Sequence, residues 1–174
     1  RMEAMRAALA FFAPDAVVIS LPAWDCLPYD RISPNPDISS ARMATLAILA
    51  RGLTGPFVLL TTMNAATQRL PARDVVAGAA FTAKVGGRVN EGALRAYLVR
   101  MGFSQTPTVS EPGDYSVRGG IIDIYPPGQG GPVRLDLFGD VLDGARRFDP
   151  ASQRTVEKLT TVDLAPVSEI ILDE

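Results

Sequence analysis

The chain contains no histidine and one cysteine, Cys26. Those two counts exclude Ser-His-Asp and Cys-His nucleophilic catalysis, His-ligated metal sites and an internal disulfide. The charged groups best placed for chemistry lie between residues 115 and 149: Arg118, Asp123, Arg134 and Asp136, with the aromatic Phe138 beside them. Two aspartates on strands could serve as a general acid and its base. Next to arginines they read better as salt-bridge partners. No acid spacing suggests a metal site. Glycine pairs stand at 86–87, 119–120 and 130–131. They lack the strand–loop–helix setting that cradles a phosphate, and there is no G-x-x-x-x-G-K-[ST] motif, so turns account for them better. No catalytic, cofactor-binding or metal-binding residue is assigned.

The elements that must position these groups are β-strands. Residues 117–125 predict one strand, closed by Pro126-Pro127-Gly128. Residues 133–138 predict a second and 141–148 a third, turned at Gly139-Asp140, as in an antiparallel meander. Side chains alternate along a strand, so Val133, Leu135 and Leu137 should face a core while Arg134, Asp136 and Phe138 face out. Two readings of the outward face follow. In one, Arg118 and Arg134 pair with Asp123 or Asp136 on a solvated sheet and Phe138 tucks under a loop, since single exposed apolar residues are common. In the other, two arginines around an exposed aromatic form a protein–protein hot spot. The residues alone leave both open.

Upstream, residues 2–12 have helical spacing, with Met5, Leu9 and Phe12 on one stripe. Residues 16–21 form a short apolar run of the kind buried on both faces of a parallel sheet. A loop with four prolines, residues 22–37, should be pinned to the body by Trp24 and Tyr29. Residues 39–51 predict a helix capped by Asp37 or Ser39, burying Met43, Leu46, Ala47 and Ala50 and ending at Gly52. Residues 57–62 predict another buried strand, followed by a short helix capped by Asn64. Strand, helical connection and strand make a βαβ unit. The pattern changes near Ala80: a strand over 81–85, then a helix over 91–101 capped by Asn90, with Leu94, Tyr97, Leu98 and Met101 on one face. After the meander, residues 152–159 predict a hairpin and 160–166 a strand. The expected fold is therefore α/β plus α+β: a partial parallel βαβ layer, then a small antiparallel-sheet domain with a packed helix.

At 174 residues with a net charge of −2, the chain is of ordinary globular composition and lacks the basic excess expected of a phosphate-binding surface. Its cations are arginines apart from Lys84 and Lys158, and arginine suits bidentate pairing at interfaces. No apolar run approaches the ~20 residues that span a bilayer. The first residues do not have the form of a signal peptide. A start in mid-helix at Arg1 suggests a piece of a longer protein in a reducing, cytoplasmic setting.

Two stretches carry a family likeness: LPAWDCLPYDRISPNPDISSARMATL at 21–46, and GDYSVRGGIIDIYP with RLDLFGDVLDGARRFDPASQRT across 113–155. Together they resemble the N-terminal region of the Mfd family, the bacterial transcription-repair coupling factors, which is related to the excision-repair protein UvrB. The likeness implies a partial α/β domain 1A over 1–79, a UvrB-like domain 2 over 80–166 and the start of domain 1B over 167–174. It implies UvrA as partner, with UvrA-binding residues at Arg118, Arg134 and Phe138, and so favours the binding reading of the outward face. The tyrosine-rich DNA-clamping hairpin of UvrB has no room between Trp24 and the following helix. That points to the coupling factors, with a damaged-DNA-binding module of UvrB type as the alternative. The fragment is then a non-catalytic adaptor. The ATP- and Mg-dependent motor, the RNA polymerase contact and double-stranded DNA binding would lie elsewhere in the longer protein. If that protein folds back, the same face could be masked by another domain.

Overall fold

The computed structural model describes residues 2–26 and 34–169. The first part of the chain builds a small parallel layer. Helix α1 (Met2–Phe12) leads into strand β1 (Val17–Leu21), helix α2 (Pro36–Arg51) and strand β2 (Phe57–Thr61). β1 and β2 pair in parallel with α2 as the crossover. α2 buries Met43, Leu46 and Ala47. It starts earlier than the sequence suggests, because Asn35 rather than Asp37 or Ser39 is the cap. Asn35 Oδ1 accepts from the Asp37 amide at 2.9 Å, and Pro36, which has no N–H to satisfy, opens the first turn. Likewise Thr62, not Asn64, caps the short α3 (Met63–Thr67). Helix α4 (Arg73–Gly78) is a single turn and a half, too short to leave a periodic signal.

The strands of this layer were expected to be buried on both faces, and they are not. Val17, Phe57 and Leu59 are exposed, as are Met5 and Phe12 of the α1 stripe. α2 covers one side of the strand pair, and no buried residue of α1 covers the other. Tyr29 lies outside the described residues.

The second part holds the larger core. Strand β3 (Phe81–Lys84) pairs antiparallel with β10 (Thr161–Leu164). Between them lie α5 (Glu91–Arg100) and a six-stranded sheet, ordered β4 (Ser104–Gln105), β5 (Asp114–Arg118), β6 (Ile121–Ile124), β7 (Val133–Phe138), β8 (Val141–Phe148) and β9 (Thr155–Leu159). β4 runs parallel to β5; every later pairing is antiparallel. Asn90 caps α5 by accepting from the Ala93 amide at 2.8 Å, and Leu94 and Leu98 are fully buried against Ile122, Ile124, Val133 and Leu135. Mixed α/β and α+β architecture is thus what the chain adopts.

One strand expectation fails. Residues 117–125 are two strands, β5 and β6, joined at Gly119-Gly120. Gly119 sits at φ 60, and a Cβ on Gly120 would lie 2.5 Å from the Leu137 carbonyl. Only glycine lets this turn close and lie flush against β7, where the Leu137 amide donates to the Gly120 carbonyl at 2.7 Å. Among the described residues, no helix is long and apolar enough to cross a membrane.

Candidate protein-docking face

The outward face of the sheet is built around Asp123. Register sets Ser116, Asp123, Arg134, Arg146 and Lys158 in one row across β5 to β9. The Asp123 side chain is 2% exposed. Its Oδ1 accepts from Arg134 Nε at 2.6 Å, and its Oδ2 accepts from Arg134 Nη2 at 2.8 Å and from Arg118 Nη2 at 2.7 Å. One buried carboxylate thus holds two guanidiniums, one of them in a bidentate fork, the stronger form of the pair.

Arg134 is fixed from other sides as well. Its guanidinium lies over the Phe148 ring, 4.6 Å from the centroid. Its Nη2 also donates to Gln153 Oε1 at 2.9 Å. The Asp123 carboxylate, as hydrogen-bond acceptor, raises the Arg134 pKa above its ordinary value, so its charge is secure. The Arg134 side chain is 17% exposed. Arg118, by contrast, is 54% exposed and is held by a single carboxylate oxygen.

Phe138 stands at the end of β7 with 83% of its surface exposed. The extra residue that bends this hairpin is on β8, since Asp136 faces Gly144 and Leu137 faces Leu142. β7 keeps its alternation, so Leu137 turns inward and Phe138 outward, as its parity predicts. Ile121 and Val141, each also exposed, flank it across the turns. Beside Arg118, an open groove of about 590 Å³ runs along Gln105, Thr106, Pro107, Ser116 and Val117. Asp136 takes neither sequence-flagged arginine; it pairs with Arg146 at 2.9 Å. Both aspartates once considered as an acid–base pair are therefore engaged with arginines.

Sequence reasoning missed three things. It took Asp123 for a solvated partner, although it lies between buried Ile122 and Ile124. Gln153 and Phe148 drew no notice, because the Asp149–Arg154 turn that brings them to Arg134 has no motif of its own. Arg42, on α2, drew no notice either. Its side chain is 0% exposed. Nε and Nη2 donate to Glu169 at 2.5 and 3.3 Å, and Nη1 donates to the Pro22 carbonyl at 2.7 Å and to Gln68 Oε1 at 3.0 Å. The Trp24 ring lies 5.1 Å from its guanidinium, and Trp24 Nε1 donates to Glu169 Oε1 at 2.7 Å. Among the described residues, no group of histidine, cysteine or acid side chains could hold a metal ion.

The described residues thus set an arginine- and aromatic-bearing sheet face over a small α+β core. The chain belongs to the family of the UvrB interaction domain, whose profile matches residues 81–170. Over most of its length it is similar to transcription-repair-coupling factors. It is 38% identical to that of Myxococcus xanthus over 99% of the chain, 38% identical to that of Escherichia coli K12 over 92%, and 31% identical to that of Bacillus subtilis over 91%. The chain spans only 13–15% of the length of these relatives.

Proposed function

We propose that this chain is a non-catalytic adaptor: residues 80–166 dock onto UvrA through Arg118, Arg134 and Phe138, and so bring nucleotide excision repair to a stalled transcription complex in the bacterial cytoplasm. The observation that carries this is the pairing of a nearly bare aromatic ring, Phe138, with two guanidiniums fixed on one face. Aromatic and arginine anchors supply most of the energy of protein interfaces. Membership in the UvrB interaction family and similarity to coupling factors support the same conclusion. Residues 1–79 then serve as the domain 1A portion that carries the adaptor, and 167–174 begin domain 1B, with 170–174 outside the described residues. No cofactor or reaction step is assigned to these residues. ATP-driven movement and contacts with RNA polymerase and double-stranded DNA belong to the remainder of the longer protein.

Titration of the purified chain against UvrA tests the proposal. Arg118→Ala and Phe138→Ala should each weaken binding, and added salt should weaken it further, because the arginines act partly through charge. Wild-type affinity in both variants would overturn it. A gel-shift assay on single- and double-stranded DNA checks the UvrB-type alternative, which requires tight, steeply salt-dependent binding.

A further inference from the structure

We infer that Asp123, backed by Gln153, is the positioning residue of the docking face: it sets the arrangement of both guanidiniums before any partner arrives. This rests on the proposal that UvrA docks on Arg118, Arg134 and Phe138. An arginine on an open sheet samples many rotamers, and ordering them opposes association. Here that ordering is already done. Arg134 has its Nε and Nη2 committed to Asp123 and Gln153 and its face against Phe148. Arg118 is tethered through one Nη2 bond and keeps the rest of its guanidinium toward solvent. Two cations on one carboxylate leave a surplus positive charge, so the fitting partner surface bears a carboxylate next to an apolar recess for Phe138.

Gln153 is held at φ 59, the one non-glycine residue with positive φ among those described. Its amide donates to the Asp149 carbonyl at 2.7 Å, and its Nε2 donates to the Pro150 carbonyl at 2.9 Å. A left-handed glutamine is an uncommon conformation that surrounding structure must enforce, and such positions cluster at functional sites. What this conformation achieves here is an acceptor aimed at Arg134 Nη2.

The test turns on sign. Asp123→Asn keeps the side-chain shape, removes a negative charge and points amide hydrogens or a lone acceptor at the two arginines. If Asp123 mattered only through charge, the variant face would be more positive and would bind an acidic partner more tightly. If it positions the arginines, UvrA binding falls, by tenfold or more. Gln153→Ala should lower affinity about threefold while leaving the Asp123 pairs in place. In the free wild-type protein, the Arg134 Nε–H should give a slowly exchanging NMR resonance, lost in Asp123→Asn. Far-ultraviolet circular dichroism and the urea midpoint, which read the substituted sheet itself, check that the variants are folded. Should Asp123→Asn not fold, the Gln153→Ala titration decides, and wild-type affinity there overturns the inference. Wild-type or tighter binding by Asp123→Asn, alongside weak binding by Phe138→Ala, overturns the inference and leaves the docking proposal standing. Wild-type binding by Phe138→Ala and Arg118→Ala removes the docking proposal itself.

Discussion

The molecule contains two arginine–carboxylate clusters, one in each half, with the same chemistry and opposite outlooks. Around Arg42 every bond points inward: to Glu169, the Pro22 carbonyl, Gln68 and the face of Trp24. The cluster ties the first helical layer to the chain emerging from the second half. Around Asp123 the order is reversed. The acid is buried and the bases spread outward, with Arg118 more than half exposed. The contrast teaches that pairing alone does not mark a binding site. The docking proposed for the Asp123 face needs more: a guanidinium fixed in direction yet with donors left over, next to exposed apolar surface such as Phe138.

That distinction can be broken or sharpened by substitution. The largest effect should come from Arg42→Ala. It strands a nearly buried Glu169 and should cost about 3–5 kcal/mol of stability, read as a lowered urea midpoint, with the Trp24 emission shifted. At temperatures where the variant stays folded, UvrA binding should be near normal; a large loss there would erase the division between a structural and a docking cluster. Next is Phe138→Ala, the reverse case. Truncating a hot-spot residue costs about 2 kcal/mol, roughly thirtyfold in affinity, and at so exposed a position stability should move by no more than about 0.5 kcal/mol. A strongly lowered melting temperature would contradict it. Tyr97→Phe should cost about 1 kcal/mol, the net worth of one hydrogen bond, because its hydroxyl donates to the Ala79 carbonyl at 2.8 Å, with the Leu164 carbonyl at 3.3 Å.

The smallest effect concerns Asp149, at the turn behind Gln153. The Ser152 hydroxyl and amide hold its carboxyl below the usual value. A depressed folded pKa means that its contribution is present above the unfolded pKa and is lost as pH falls through the folded one. A carboxyl titration by NMR should show the low midpoint, moving upward in Ser152→Ala. An unperturbed midpoint in the wild type would mean that the turn is not held this way in solution.

Much of this architecture was legible in residue order. The α5 cap and buried face, the extents of β7 and β8, and the outward placement of Phe138 all follow from local periodicity and turn residues. What escaped was decided by contacts distant in sequence. Gly119-Gly120 has the residue types of a turn, but the β-rich residues on both sides read as one strand until the Leu137 carbonyl is placed against it. Arg42 looks like a surface cation on a helix until Glu169, 127 residues away, closes over it. The face around Asp123 was half legible: alternation supplied the arginines and the ring. The buried anchor and Gln153 depend on a turn whose conformation comes from packing rather than from a motif.

The pairing of β3 with β10 brings the two ends of the α+β unit together. The chain enters the α+β unit along one strand and leaves along its immediate neighbour, with Phe81 opposite Leu164 and Lys84 opposite Thr161. Partners in an antiparallel ladder lie about 5 Å apart, close enough for a short peptide linker to bridge. The whole unit can therefore be spliced into, or lifted out of, a host loop without stretching the host.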